Sequence, residues 1–285
     1  MSKMLTQPAL CEPKQNNILA GLPPEVYERL APDLELVPLK FGSALYEDGA
    51  QMRHIYFPAD SIITLLCEIR EGSSAEIAVV GNEGLVGIAL FIGGPPASSR
   101  AVVQHAGCAY RLNSSALKRE FELGSALRNA LLRYTQALIN MMAQAAACNR
   151  YHPVEQQLCR WLLTSMDRLP SNELLMTQDL IANMPGLGRE GVTGMVRKLH
   201  ADGVINYSCG RVEILDRPRL ETLACECYAT IKKEFDRLLT AQRPQTNAGR
   251  AGRIAEPYSL HCAVACGGSH PQFTKKLTGD MPAIS

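Results

Sequence analysis

The chain has 285 residues, 46% of them hydrophobic, which is enough for two domains and a tail. Its 29 basic and 28 acidic side chains leave a net charge of +1, so it is not basic throughout, and any affinity for nucleic-acid phosphate must be local. No apolar run reaches the ~18 residues of a membrane span, the N-terminus lacks an apolar signal core, and the ten cysteines are scattered, which points to reduced thiols in a cytoplasm.

Residues 1–17 are polar, contain Pro8 and Pro13, and read as a flexible N-terminus. A short helix opened by Pro23 and Pro24 follows. From about 35 to 112 the chain is rich in β-strand signals: Leu45–Tyr46, His54–Phe57, Ile62–Cys67, Ala75–Val80 and Ala101–His105 are short apolar runs. Turn pairs such as Asp48–Gly49 and Gly81–Asn82 separate them. Short strands at even spacing predict a sandwich or jelly roll. Residues 125–149 predict one long helix. In it Leu127, Leu131, Tyr134, Leu138, Met141 and Ala145 step by four and three, as a helix–helix seam does. Leu132, Ile139 and Met142 form a second apolar stripe, so one stripe can pack on the β-region and the other on a second copy. The first is the expected dimerisation seam.

A hinge follows, ending at Pro153, which suits the first turn of a new helix. That helix carries Val154, Leu158, Trp161, Leu162 and Met166 inward, with Gln157 and Arg160 expected on its exposed side. In 174–216 the pattern is helix, tight turn, helix and hairpin. Leu180, Ile181 and Met184 recur at helical spacing, Pro185 and Gly186 stop the helix, and a second helix starts near Arg189 with Val192, Met195, Val196 and Leu199 on one face. Val204–Tyr207 and Val212–Leu215 pair around Cys209–Gly210. Asp216–Leu239 reads as one amphipathic helix, and 240–285 has the composition of a disordered tail.

Ala182, Gly186 and Val192 match the winged helix-turn-helix of the bacterial CRP/FNR regulators. Gly42, Gly49, the IYFP of 55–58, Gly72 and Gly81 through Gly87 resemble that family's cyclic-nucleotide-binding-like β-roll. The resemblance implies an α+β chain with a flexible N-terminus (1–17), a β-roll sensor domain (18–124), a dimerisation helix (125–149), a winged helix-turn-helix domain with a C-terminal helix (150–239) and a tail (240–285). It implies a homodimer that binds double-stranded DNA and works with RNA polymerase. The second helix would enter the major groove with its N-terminal end forward. Thr177, Gln178, Arg189, Glu190, Thr193 and Arg197 are the DNA-binding candidates. Arg can fork onto guanine and Glu can accept from cytosine.

Nucleotide-binding members hold the ribose through a Gly-Glu pair and the cyclic phosphate through an Arg-Ser pair. Here Gly87 and Arg100 keep the first residue of each pair, but Ile88 and Ala101 replace the second. The effector pocket therefore centres on Gly87 and Arg100 with the usual contacts incomplete. Two alternatives stay open. One is a genuine cyclic-AMP receptor. The other is a dimeric scaffold that no longer binds DNA, suggested by Gly188 in place of a Ser/Thr cap and Gly194 where many members carry a base-reading arginine. No phosphate loop, HExxH or nucleophile elbow points to an enzyme. No cofactor or metal is expected: His261, Cys262, Cys266 and His270 lie in a glycine-rich tail, and Cys225 and Cys227, two apart on one expected helix, would point about 200° from each other. Cys67 and Cys108 read as buried apolar strand residues, with a thiol redox role kept as an alternative.

Overall fold

The computed structural model describes residues 11–68, 74–93, 99–169, 171–177 and 189–240. Two short helices, α1 (Asn17–Ala20) and α2 (Pro24–Leu30), lead in. Asn16 is wholly buried and caps α1: its Oδ1 accepts from the Ile18 and Leu19 amides while its Nδ2 donates to the Pro58 and Gly84 carbonyls. One side chain thus satisfies two orphan helix donors and fastens the helix to the sheets.

The β-domain is two antiparallel sheets. One has the order β1 (Leu34–Leu39), β7 (Gly107–Asn113), β3 (His54–Pro58). The other has the order β2 (Ala44–Tyr46), β6 (Arg100–His105), β4 (Ile62–Glu68), β5 (Ser74–Val80). Register places Ile55 opposite Leu112, Ile63 opposite Val80 and Val103, and Leu65 opposite Ala78. These residues, with Phe57, form one buried core, as period-two alternation requires when two sheets face each other. Two strands beyond the expected set, β1 and β7, complete the first sheet. Two further helices follow this pattern: α3 (Ala89–Ile92) precedes β6, and α4 (Ser114–Glu122), capped by Asn113, follows β7.

The expectation of reduced thiols fails at one place. Cys108 is joined to Cys11 by a disulfide across a sequence separation of 97. A carboxylate of Asp60 accepts from the Cys108 amide at 2.7 Å beside it. Scatter in sequence said nothing of this, because the N-terminal segment is laid against β7.

The long helix α5 (Ala126–Tyr151) packs on both sheets. Leu127, Leu131, Tyr134, Leu138 and Met141, the seam assigned to a second copy, are instead at most 5% exposed inside the chain's own core. Ala145 is partly covered. The uncovered apolar stripe is the other one: Leu132 is 48% exposed and Ile139 58%. With Gln136, Ala143 and Ala146, also exposed, it steps four, three, four, three along the helix. The physical reason is that the β-roll claims the larger, bulkier face.

Helix α6 (Val154–Met166) begins after Pro153. Gln157 and Arg160, expected on the exposed side, are 4% and 8% exposed. Gln157 Nε2 donates to the His152 carbonyl at 2.7 Å and Arg160 Nε to Cys148 Sγ at 3.2 Å, so both are buried with partners supplied by the preceding helix. Helix α7 (Arg189–Ala201), the hairpin β9 (Ile205–Ser208) and β10 (Arg211–Ile214), and a third strand β8 (Glu173–Leu175) pairing with β10 share a second core with Trp161, Leu162 and Leu174. The expected helix 216–239 is two helices, α8 (Arg217–Leu223) and α9 (Glu226–Thr240), because Ala224 is extended at φ −76° and ψ 156°. Among the described residues no helix is long and apolar enough to cross a membrane.

Two polar contacts fasten this second core to the β-domain. The Trp161 indole N–H donates to Glu76 on β5 at 2.7 Å. Arg168, 6% exposed, pairs with Glu83, 12% exposed, at 2.7 Å.

Candidate nucleic-acid interface

Helix α7 is amphipathic for a plain reason. Val192, Val196 and Leu199 are at most 2% exposed and lie on the inner face, spaced by four and three. Glu190, Gly194 and Arg197 are exposed on the other side, and Thr193 is half-buried between. Glu190 sits in the first turn and Lys198 and His200 in the last, the order the helix dipole favours. Lys198 reaches back to Glu155 on α6, with both carboxylate oxygens within 3.1 Å, so this cation holds two helices together. His200 Nδ1 accepts from the Tyr207 amide at 3.2 Å and ties α7 to the hairpin.

Gly203 stops the helix in the left-handed region, φ +69°. The hairpin turns on Cys209 (φ +49°) and Gly210 (φ +74°), both positive, as the tightest two-residue hairpin turn requires. Cys209 stands exposed at its tip. Strand β8 makes the wing three-stranded, and Thr177 lies just beyond it, half-buried. The expected first helix of the motif, with Gln178, Ala182, Pro185 and Gly186, and also Gly188, lies outside the described residues. Arg189 opens α7. The described half of the motif thus presents Glu190, Thr193 and Arg197 along one side of a rigidly backed helix, next to the wing.

Behind the wing, Asp216 caps α8 by accepting from the Arg219 amide, and Arg217 binds Asp167, Glu221 and the Tyr228 hydroxyl. Tyr228 in turn donates to Asp167 at 2.8 Å. This network ties α8 and α9 to the end of α6. Burial pushes the Tyr228 hydroxyl well above its ordinary pKa.

At the β-roll, Gly87 takes φ +112°, and a methyl there would meet Ile55 and the His54 carbonyl. Ile88 caps the short helix α3 and packs partly against the core. Arg100 at the start of β6 faces Glu47, with Nε 2.7 Å from a carboxylate oxygen. The same Nε makes no aligned hydrogen bond among the described residues, so the contact is a close ion pair rather than a directed bond. Ala101 is fully buried. Gly87 and Arg100 are thus both present, but the arginine is already engaged by an acid.

Residues 156–223 match the family model of the Crp-like helix-turn-helix domain. No curated protein matches the chain in sequence. Solved structures match in fold. A transcriptional regulator of the crp/fnr family from Eubacterium rectale is 18% identical, with a TM-score of 0.53 over 72% of this chain and 96% of that one. FixK2 from Bradyrhizobium japonicum is 15% identical, with a TM-score of 0.54 over 67% and 98%. CLP of Xanthomonas campestris, described as a c-di-GMP-responsive global regulator, is 14% identical, with a TM-score of 0.53 over 67% and 98%. The chain thus carries a Crp-like helix-turn-helix domain, and its antiparallel β-domain, long helix and helix-turn-helix domain together share the fold of these crp/fnr-family structures.

Proposed function

We propose that the protein works as a homodimer on a two-fold symmetric operator, in the cytoplasm, with RNA polymerase as its further partner. Helix α7 enters the major groove of each half-site. Arg189 and Glu190 read base edges there, while Thr193 and Arg197, with Thr177 and Gln178 from the first half of the motif, contact the backbone and flanking bases. The observation that carries this reading is the exposed polar side of α7, Glu190 to Arg197, backed by the buried Val192, Val196 and Leu199. The two protomers meet along the uncovered stripe of α5 around Leu132 and Ile139. The roll acts as the sensor for a signal other than cyclic AMP, since Ile88 and Ala101 offer no hydrogen-bonding side chain and Arg100 is engaged by Glu47.

Fluorescence anisotropy on a selected operator and a scrambled duplex tests this. Half-sites should lie about 34–36 Å apart. Arg189→Ala should cost about 1–3 kcal/mol per half-site and relax base preference. Arg197→Ala should weaken both duplexes alike and lower the salt slope by about one unit for each phosphate that the guanidinium neutralises. If Arg189→Ala leaves both affinities unchanged, base readout by α7 is wrong and the scaffold reading takes its place.

A further inference from the structure

Four side chains from two distant segments meet where α5 ends. Cys148 and His152 are four residues apart, so they share one face of the helix end. Cys225 and Cys227 come from the junction of α8 and α9. Cys225 precedes α9 and its carbonyl accepts from the Tyr228 amide, so it stands outside the helix while Cys227 stands in the first turn. The 200° separation expected for two residues on one helix therefore does not apply. The three sulfurs and an imidazole nitrogen all lie within 4.8 Å of one another. Cys148 Sγ is 3.5 Å from Cys225 Sγ, and Cys227 Sγ is 3.5 Å from His152 Nδ1.

We infer that Cys148, His152, Cys225 and Cys227 form a tetrahedral site for one zinc-class divalent cation, which pins the end of α5 to the start of α9. The donor set is three thiolates and one imidazole, a combination of structural zinc sites. Bond lengths of about 2.3 Å to sulfur and about 2.05 Å to nitrogen give tetrahedral edges of about 3.8 Å between sulfurs and about 3.6 Å from sulfur to nitrogen. The 3.5 Å contacts lie within a few tenths of an ångström of these edges.

The surroundings suit an ion. His152 Nε2 lies 3.2 Å from a Glu226 carboxylate oxygen. That acceptor fixes the proton on Nε2 and leaves Nδ1 free to ligate, as a carboxylate–histidine pair does beside zinc. Gln144 Nε2 donates to Cys227 Sγ at 3.1 Å. Arg160 Nε donates to Cys148 Sγ at 3.2 Å, and this guanidinium is only 8% exposed. Binding replaces three S–H protons by one dication and releases them to solvent. The resulting three thiolates and dication carry one net negative charge, which the buried Arg160 cancels. A cysteine redox switch fits less well: Cys148, Cys225 and Cys227 are 0%, 5% and 1% exposed, whereas reactive thiols are accessible ones. The partly exposed His152 with Glu226 gives the ion its way in.

The test uses the full chain, reduced, stripped with a chelator and kept anaerobic. Cobalt(II) is the spectroscopic probe and zinc the competitor. One equivalent per protomer should produce the thiolate-to-cobalt charge-transfer bands and the intense visible bands of a tetrahedral site, and zinc should bleach them. Cys225→Ser and Cys227→Ser should weaken binding by more than about 100-fold, and Glu226→Gln, an exposed change that spares the fold, by about 10-fold. Replacing Cys262 and Cys266 by serine should leave the titration unchanged. The inference is overturned by a wild type that shows no tetrahedral cobalt spectrum at one equivalent. It is equally overturned by a spectrum that survives Cys225→Ser with Cys227→Ser, by one that is lost only in the tail variant, or by a Cys148–Cys225 disulfide as the sole modification of this cluster. No DNA enters the assay, so the result is independent of operator binding.

Discussion

Replacing Glu76 by glutamine tests the contact between the β-domain and α6 most directly. Burial pushes the Glu76 carboxyl from its ordinary 4.5 up to about 7, against the opposing pull of the Trp161 indole N–H and of the Arg160 and Arg168 charges. Its Oε2 has no hydrogen-bond partner among the described residues, so no donor at that oxygen offsets the cost of burying the charge. The unfolded chain releases this proton near 4.5 and the folded chain near 7. Between those values the folded state holds this extra proton, so the contribution of Glu76 to stability is greatest at low pH, falls as pH rises through that window, and levels off above about 7. Integrating the two titrations gives a loss of about 2–3 kcal/mol between about pH 5 and about pH 8. Glutamine keeps an acceptor for Trp161 and does not titrate. Urea unfolding of both proteins at the two pH values should therefore show the variant gaining about 2–3 kcal/mol on the wild type from the lower to the higher pH. Comparing the two cancels every other titrating group. Trp161 is the only tryptophan, so native-state emission should titrate with a midpoint near 7 and lose that step in Glu76→Gln. A stability difference that is constant across the range, with no emission step between about pH 6 and about pH 8, would refute the buried carboxyl.

Leu132→Asp with Ile139→Asp should turn a dimer into a monomer in sedimentation while leaving the fold intact, because both side chains are exposed in the single chain. Leu131→Asp should instead unfold the protein, since it places a charge in the roll's core; a soluble, folded monomer from that change would restore the first seam. Calorimetry with cyclic AMP should show no saturable micromolar site, and a site that Arg100→Ala abolishes would promote the receptor alternative. Gly84→Ala should cost about 1–3 kcal/mol in chemical unfolding, because a methyl there would overlap the fully buried Tyr134 ring.

The helix-turn-helix half of the chain was legible because Val192, Val196 and Leu199 keep a 3.6-residue period and Cys209–Gly210 marks a tight turn between apolar runs. The central strands were legible as short apolar runs set off by turn pairs such as Asp48–Gly49 and Gly81–Asn82. Strand β1 escaped notice because Pro38 interrupts its alternation, which an edge strand tolerates. On α5 both apolar stripes have helical spacing, and only the mass of the roll decides which one it covers. The break at Ala224 was invisible because Leu220, Leu223, Cys227 and Ile231 keep helical spacing straight across it. The cysteine–histidine cluster was out of reach for a related reason: its two pairs of donors are brought together by the packing of α9 on α5, which no local pattern encodes.

The chain passes from α5 to α6 through His152 and Pro153, and α6 is then closed against the roll by Trp161 on Glu76 and, just beyond its end, Arg168 on Glu83. That arrangement works as a latch. Swinging the helix-turn-helix half away would carry both contacts into water at once and would also strip Ile231, Phe235 and Leu238 of α9 from the core they share with the roll and α5. A signal that moves the population from about 1:99 to about 99:1 must prefer the released form by about 10⁴-fold. Alkali pulls in the same direction with no ligand at all, because an ionised Glu76 is better solvated in the open state.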